Sequence, residues 1–438
     1  PLSLRLGLVL VPVLAAAGWA RRRRGAALPP VHGIEALVVS ALTFAVAALL
    51  GWWPLMITGL TPLQGLFEAV SAVTSTGLTM TRRLEAEPFA VLFMRHWFQW
   101  YGGFAIIVLA VGLVFGHGGI ARRIGALDID DASRLESVRT RSRRILAVYA
   151  GATAVAWLLL LATMEDAGAA LLFALSAVAT GGFAPTATSL GGETVPTAVV
   201  VLALCLFGAI SFDQWVRTGQ GGWRAVVRDT ETRQMLAFVL VMGALVALAE
   251  TLAGSGFNSG HAWAHAISAQ TTAGFTTQPV AELSEASRLL LIAAMFVGGD
   301  VGSTAGGFKL VRLVVLAGLL RVVWLRIASG PRSVMPLEAK GHRVEAAELE
   351  NITALALAML LVLLLAWLVF LLHGAPPLPA LFDVTSALAT AGLSAGVIGP
   401  ELPASLTAVA IALMWLGRVE VFAVVILCLP ATWRPARS

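Results

Sequence analysis

Apolar residues along the chain gather into nine runs, at about 4–20, 34–53, 91–115, 145–163, 196–212, 234–252, 287–326, 351–372 and 403–429. Each reaches the length of roughly 17–25 residues that a helix needs to cross the hydrocarbon of a bilayer. Between every second pair lies a shorter, less apolar segment, at about 62–75, 167–180, 259–272 and 378–390. These four are too short to cross and predict helices that enter a membrane and turn back. The predicted order is outer helix, half-helix, extended turn and second helix, four times over, after one extra leading helix.

The half-helices carry start signals and a shared ending. Thr61-Pro62 supplies an N-cap followed by proline at the first helical position, and Pro376, Pro377 and Pro379 precede or open the fourth. The endings are Ser71-Ala72-Val73-Thr74-Ser75-Thr76-Gly77-Leu78, Ser176-Ala177-Val178-Ala179-Thr180-Gly181-Gly182-Phe183, Ser268-Ala269-Gln270-Thr271-Thr272-Ala273-Gly274-Phe275 and Ser386-Ala387-Leu388-Ala389-Thr390-Ala391-Gly392-Leu393. Counted from the glycine, every copy has Ser at −6, Ala at −5, Ser or Thr at −2, and Leu or Phe at +1. One such phrase is ordinary packing vocabulary between membrane helices. Four copies, each between two spanning runs, form an internal repeat that outranks any local reading. The chain divides accordingly into a leading helix and basic loop (1–33) and four repeats (34–144, 145–233, 234–350 and 351–438).

Composition agrees with the pattern. Of 438 residues 58% are hydrophobic and 13% charged, and mean hydropathy is +0.85. No soluble domain of this size hides that much apolar surface, so the fold class is an all-α polytopic membrane protein. Cys205 and Cys428 both lie in apolar runs and read as small packing residues. The first run is followed by Arg21–Arg24 and not by a small-residue cleavage site, so it reads as a helix, not a cleaved signal. The chain opens on Pro1, without Met, which leaves room for a preceding segment.

The net charge of +5 matters less than its distribution. One set of loops holds Arg21–Arg24; Arg122, Arg123, Arg134, Arg139, Arg141, Arg143 and Arg144; Arg217, Arg224, Arg228 and Arg233; Arg321, Arg326, Arg332, Lys340 and Arg343; and Arg434 and Arg437. The opposite set holds Arg82, Arg83 and Arg288, with Arg95 at a helix start. The basic set is therefore cytoplasmic and the half-helices enter from outside. Basic stretches such as Arg122–Arg144 serve as topology signals, and would also suit anionic lipid or a regulatory partner. The outer loops carry Glu85, Glu87, Glu165, Asp166, Glu193, Glu282, Glu285 and Glu401, for which a solvated face is a plainer reading than cation attraction.

Four non-helical turns at membrane depth are tolerated only if protein surrounds them or water lines them. Four copies facing one axis meet that condition. Rings of backbone carbonyls replace an ion's hydration shell, and half-helix C-termini add partial negative charge. The candidate ion filter is thus Thr74, Ser75, Thr76 and Gly77; Ala179, Thr180, Gly181 and Gly182; Thr271, Thr272, Ala273 and Gly274; and Ala389, Thr390, Ala391 and Gly392. An inside-negative potential would drive a cation inward with about 2.3 kcal/mol per charge per 100 mV. No covalent cofactor and no catalytic group is required.

The run at 287–326 is too long for one crossing and is interrupted between Gly298 and Gly307. Its five glycines with Ser303 and Thr304 cannot hold a stable helix. Placed after the third turn, the segment Gly298, Gly299, Asp300, Gly302, Ser303, Thr304, Gly306 and Gly307 reads as an intramembrane gate, against the blander reading of a kinked, closely packed helix. Lys309 ends it, either as an anchor or as the start of the cytoplasmic face. Arg418 lies midway along an apolar run, where an arginine costs about 2.5–3.5 kcal/mol on insertion scales. It should face the interior, with the loop's carbonyls, Glu420 or Asp300 as partner, and raise a barrier to cations. At −9 from the glycines stand Glu68, Phe173, His265 and Asp383. Glu68 and Asp383 are read as hydrogen-bonding the filter's backbone or contributing a negative potential there, a satisfied polar anchor being the commoner fate of such a residue.

These features resemble the Trk/Ktr/HKT superfamily of potassium transporters. Phe67–Gly77 is similar to the first filter segment of the bacterial TrkH branch, and Gln99-Trp100-Tyr101-Gly102-Gly103-Phe104 to the start of its following helix. Met295–Lys309 is close to the most distinctive motif, and Gly417-Arg418-Val419-Glu420 also matches. Asp300, His265 and Phe212-Asp213-Gln214 depart from the pattern. The resemblance implies a pseudo-fourfold pore within one subunit, a gate at the glycine-rich loop, a homodimer, and a cytosolic nucleotide-binding, TrkA-like regulatory subunit in the bacterial inner membrane. Glycine at all four filter positions, where serine at the first accompanies sodium transport, implies potassium as the ion, with rubidium as surrogate.

Two rival classes are weighed. A cation symporter with broken helices places half-helix ends at the midplane, but predicts two- or threefold repetition. An intramembrane enzyme needs a nucleophile–base pair or a metal set. No His-Glu-x-x-His occurs, and Asp300 and Asp213 have no spacing that pairs them.

Overall fold

The computed structural model describes Arg5 and residues 33–116, 131–254, 259–329, 338–339 and 342–429. The leading run beyond Arg5, the Arg21–Arg24 loop, and Arg122, Arg123, Arg332, Lys340, Arg434 and Arg437 lie outside the described residues. The regular elements of the described chain are helices apart from one hairpin of two two-residue strands, in which Glu338 pairs with Arg343 and Ala339 with His342. The helices of the first repeat are α1 (Gly33–Leu55), α2 (Pro62–Val73) and α3 (Phe89–Gly116). The second repeat has α4 (Asp131–Leu161), α5 (Ala167–Val178) and α6 (Val195–Ala209), followed by the short α7 (Phe212–Gly221) and α8 (Trp223–Arg228). The third has α9 (Thr230–Ala253), α10 (Ser259–Gln270), α11 (Glu285–Val297) and α12 (Leu310–Ser329). The fourth has α13 (Ala346–Leu372), α14 (Pro377–Leu388), α15 (Ala404–Val419) and α16 (Val421–Cys428).

The four half-helices α2, α5, α10 and α14 are each 12 residues long. At 1.5 Å per residue that is about 18 Å, well short of a hydrocarbon core of about 30 Å. Local chemistry starts them. Thr61 and Gln64 form a reciprocal capping box ahead of Pro62, Asp166 accepts the Gly168 amide at 2.7 Å, and Pro377 opens α14. By contrast α4, α9 and α13 contain segments long and apolar enough to span a membrane, Thr140–Leu161, Thr230–Ala253 and Ala346–Leu372. Their outward leucines, such as Leu158, Leu248 and Leu361, are exposed, as a lipid-facing surface requires.

Packing is the same in every repeat. Each half-helix packs on the outer helix before it and the second helix after it. Between repeats, α3 packs on α5, α6 on α10, α11 on α14, and α15 back on α2. The second helix of one repeat thus supports the half-helix of the next, and the last supports the first. Buried apolar clusters sit at these junctions: Phe67, Leu388 and Met414 join the fourth repeat to the first, and Leu291, Phe382 and Leu393 join the third to the fourth.

Three boundaries differ from the hydropathy reading. The run at 403–429 is two helices, because Glu420 adopts φ 67° and breaks the hydrogen-bond ladder between α15 and α16. The run at 196–212 stops at Ala209, where the extended Ile210 turns the chain into α7. The helix read at 145–163 begins earlier, at Asp131, with a polar first half that a hydropathy window passes over. Cys205 is a buried free thiol, as expected of a packing residue.

Candidate functional site

The four repeated turns have nearly one geometry. The residue at −2 takes a left-handed conformation in each: Ser75 (φ 49°), Thr180 (48°), Thr272 (50°) and Thr390 (49°). Its amide donates to the alanine carbonyl at −5, over 3.0, 3.0, 3.1 and 3.2 Å for Ala72, Ala177, Ala269 and Ala387. The next amide donates to the serine carbonyl at −6, over 2.9 Å for Ser71, Ser176 and Ser268 and 2.8 Å for Ser386. This is a Schellman ending, which satisfies two carbonyls of the last helical turn. A hydroxyl residue fills the left-handed position where glycine is usual, although a side chain there carries a strain of about 1–2 kcal/mol.

Glycine comes two residues later, and two conditions require it. Gly77, Gly182, Gly274 and Gly392 have φ of 94°, 76°, 76° and 83°. A methyl on each would meet the next turn: 3.2 Å from Gly182 Cα for Gly77, 3.0 Å from Gly274 Cα for Gly182, 3.1 Å from Gly392 Cα for Gly274, and 3.3 Å from Gly77 Cα for Gly392. The neighbour relation runs through the turns in sequence order and returns to its start. The three residues before each glycine are buried. Among them the hydroxyls of Ser75 and Thr390 have no hydrogen-bond partner among the described residues.

Carboxylates brace two of the turns, though just beyond the positions expected. Glu68 Oε1 accepts from the amides of Met80 (2.5 Å) and Thr81 (3.1 Å), and Asp383 from those of Ala395 (2.5 Å), Val397 (2.9 Å) and Ile398 (2.7 Å). Both therefore hold backbone from the third residue past the glycine onward, not the filter backbone itself. A half-helix rising to the turn brings its −9 position level with the returning strand. His265 plays the same part with its own chemistry, at 3.0 Å from the Gln278 carbonyl, while Phe173 lies against Phe275 with ring centroids 5.9 Å apart. Asp383→Asn, of equal size but with one acceptor oxygen replaced by a donor, is expected to lower stability by about 2–3 kcal/mol, since buried amides lose their acceptor. Thermal unfolding in detergent measures this, with an unchanged midpoint as the contrary result.

The interrupted segment lies against these helix ends. Gly306 N–H donates to Thr272 Oγ1 at 2.6 Å, and Gly307 N–H to the Ala389 carbonyl at 3.1 Å. Thr304 Oγ1 donates to the carbonyls of Gly208 (2.8 Å) and Val178 (3.2 Å) and lies 3.2 Å from Thr180 Oγ1. Glycine is again required, by φ of 71°, 78° and 77° at Gly298, Gly302 and Gly307, and at Gly298 and Gly307 also by their close backbone approach to each other. Asp300 is fully buried, and its amide donates to the Ala209 carbonyl at 3.0 Å. Ser303 Oγ donates to the Asp300 carbonyl at 2.6 Å, and Gly299 lies against Ala209 and Ala305. The Lys309 ammonium donates to the Ala305 carbonyl, so this lysine anchors the loop.

Arg418 is 3% exposed and faces the interior. Of the partners considered from sequence, it takes a carbonyl of the loop: Nη1 donates to Thr304 O at 2.8 Å, while Nη2 donates to Gly102 O on α3 at 3.3 Å. Glu420 pairs instead with Arg312 at 2.6 Å, tying the break between α15 and α16 to the first turn of α12. Asp213 is bound to Arg141 and Arg217, outside the turns.

The sequence marks Arg95 only as a charge at a helix start and Gln99 only within a family-like segment; both are buried polar residues on α3 that touch the turns. Gly102 and Gly417, which belong to segments that resemble the family, have a packing role the sequence does not state: a methyl there would strike the last carbonyl of a half-helix, at Val73 and at Leu388. The signal for the first pair was polar residues spaced four apart inside an apolar run. Among the described residues no cluster of three or more His, Cys, Asp or Glu side chains could hold a metal ion.

The family model of TrkH, described as a cation transport protein, matches residues 37–240 and 230–433. The chain is 28% identical over 428 residues to the Trk system potassium uptake protein TrkH of Halomonas elongata, spanning 91% of this chain and 86% of that one. It is 29% identical over 435 residues to the protein of the same name from Salmonella typhimurium, spanning 95% and 89%. The fold matches the crystal structure of the potassium transporter TrkH from Vibrio parahaemolyticus with a TM-score of 0.84 at 24% identity, over 99% of this chain and 97% of the other. With model matches that together span nearly its whole length, the chain belongs to the TrkH family of cation transport proteins, multi-pass membrane transporters and not enzymes.

Proposed function

We propose that the protein takes potassium across the bacterial inner membrane through a pore in the single chain, selected at the four glycine turns and gated by residues 298–309. One observation carries the reading: four turns with one hydrogen-bond pattern, each glycine abutting the next and the fourth the first. Such a ring surrounds an axis with backbone oxygen and four half-helix C-termini, an environment that replaces the water of a monovalent cation and repels anions. The unpartnered hydroxyls of Ser75 and Thr390 add polar capacity at the same level. Potassium is favoured by glycine at all four positions and by relatives named for potassium uptake.

The gate reading draws on the loop's bonds to Thr180, Thr272 and Ala389 and on the Arg418 guanidinium held to it. Closed, the loop would cover the inner side of the ring. Assembly as a homodimer with a cytosolic nucleotide-binding subunit follows from the family resemblance, and exposed arginines such as Arg144, Arg224 and Arg228 are suited to such a partner. A symporter with broken helices would call for two- or threefold repetition, whereas all four repeats here share one packing scheme.

Ion flux into proteoliposomes tests the reading, with potassium, rubidium and sodium compared for the unmodified chain and for Gly77→Ser. The unmodified chain should pass potassium and rubidium and largely exclude sodium. A side chain at Gly77 would approach Gly182 Cα to 3.2 Å and push the first two turns apart. Gly77→Ser is therefore expected to cost about 1–2 kcal/mol of discrimination, or roughly tenfold in the potassium-to-sodium ratio. Equal passage of sodium and potassium through the unmodified chain overturns the selectivity claim.

A further inference from the structure

One face of α3 lies against the first two turns. It carries Arg95, His96 and Gln99, all buried, and a buried guanidinium is costly unless its partners are well placed. Arg95 and Gln99 stand four residues apart and so lie one above the other on the helix. Arg95 Nη2 is 3.1 Å from Glu68 Oε2 and donates to Thr79 Oγ1 at 3.0 Å, which ties it to the strand just after Gly77. Its guanidinium carbon lies 4.2 Å from the centroid of the Phe183 ring, the residue just after Gly182. Gln99 Oε1 accepts from Ser176 Oγ at 2.8 Å and from the Phe183 amide at 3.3 Å, and its Nε2 donates to the Gly181 carbonyl. The His96 ring lies 6.0 Å from the same phenylalanine.

A single helix of the first repeat therefore grips the second turn at a side-chain ring, an amide and a carbonyl while holding the first turn's carboxylate. The grip is local to this junction. Gly102, Gly208 and Gly417 each face the last carbonyl of the half-helix in their own repeat, at Val73, Val178 and Leu388. Three residues before them stand Gln99, Cys205 and Met414, so the amide occurs at the first of these places and not at the other two.

We propose that Arg95 and Gln99 are positioning residues that fix the spacing between the first and second turns, and so set how strictly the ring discriminates potassium from sodium. Neither touches the ion. Discrimination by carbonyls depends on how far the ring can contract around a smaller cation. A Gly181 carbonyl tethered by Gln99, with Phe183 two residues on clamped beneath Arg95, cannot follow that contraction. The inference rests on the reading of the four turns as a potassium filter.

Rubidium influx into proteoliposomes holding the full chain provides the test, with potassium and sodium as competitors. The readout is the ratio of sodium to potassium concentrations that halve the influx. Gln99→Leu removes all three hydrogen bonds, and the ratio is expected to fall about tenfold, the equivalent of about 1.4 kcal/mol. Maximal influx and detergent-solution elution should stay near those of the unmodified chain. Gln99→Glu keeps acceptors for Ser176 and Phe183 but loses the donor to Gly181, and should fall by about threefold, as a part of the same loss. Arg95→Lys keeps the charge and loses the planar face over Phe183, with a fall of the same size. Met414→Leu, at the matching place in the fourth repeat, should leave the ratio unchanged.

An unchanged ratio in either folded Gln99 variant overturns the proposal. So does a ratio that holds steady while maximal influx and folded yield fall together, which marks a purely structural role. Absence of potassium preference in the unmodified chain is a different failure, that of the filter itself.

Discussion

Replacing Arg418 with alanine is expected to raise rubidium influx through the chain alone by about tenfold or more. Two effects act in the same direction. The guanidinium holds the loop through the Thr304 carbonyl at 2.8 Å and braces it on Gly102 at 3.3 Å. Hydrogen bonds from a charged donor are worth about 1.5–3 kcal/mol each, and every 1.4 kcal/mol of bias toward an open loop is about tenfold in its population. The charge itself also opposes a cation. At about 10 Å and an effective dielectric constant of about 20, two unit charges repel by about 1.7 kcal/mol. Thr304→Val tests loop release without the loss of charge, because it keeps the side chain's shape, the Thr304 carbonyl and the charge of Arg418 but removes a second tether, the hydroxyl bonded to Gly208, Val178 and Thr180. It should raise influx by a smaller factor, about threefold to tenfold. Influx that stays at the unmodified level in folded Arg418→Ala removes the loop from the gating role.

The architecture was readable because its signals repeat. A helix of 12 residues ending in Ser-Ala and a glycine reads poorly once, but four such helices between apolar runs leave little freedom of interpretation. The interruption at 298–309 was readable from its glycines for the same chemical reason that shapes it: helix propensity fails there, and the backbone must come close to other backbone. What escaped was set by long-range contacts that no local pattern encodes. The break at Glu420 falls on a residue that is neither proline nor glycine, three positions after Gly417, and it is held by Arg312, 108 positions away. The same holds for Gln99, whose partner Gly181 is 82 positions distant. Glu68 and Asp383 were recognised as polar anchors, but their targets depend on how the strand after each turn doubles back past the half-helix. The Schellman endings illustrate both sides. The glycine that must come after the turn is visible in sequence, whereas Ser75, Thr180, Thr272 and Thr390 in the left-handed position are not. Serine and threonine are not the residues that conformation prefers, so tertiary context overrides propensity at the four turns.

Alanine at a filter glycine should be among the most damaging of small substitutions, and a matched control separates the reasons. Gly392 has φ 83°, and a methyl there would press on the Thr76 carbonyl, 3.2 Å from its carbon and 3.3 Å from Gly77 Cα. Gly374 has nearly the same backbone, φ 81°, yet a methyl there meets nothing within 4 Å. Both substitutions carry the left-handed strain of about 1–2 kcal/mol. Only Gly392→Ala adds the collision, which overpacking data place at about 1–3 kcal/mol and which here falls on backbone that cannot rotate away. If the ring is the ion path, that displacement acts directly on the carbonyls, and Gly392→Ala should cut rubidium influx by about a hundredfold, or about 2.8 kcal/mol. Gly374→Ala should lower the unfolding midpoint by a similar strain and leave influx within about twofold, since a strained turn remote from the ring changes stability without touching the path. The comparison rests on influx per folded molecule, with elution in detergent as the measure of folding. Folded Gly392→Ala that conducts as well as Gly374→Ala would mean that ions cross the protein somewhere other than through the four turns.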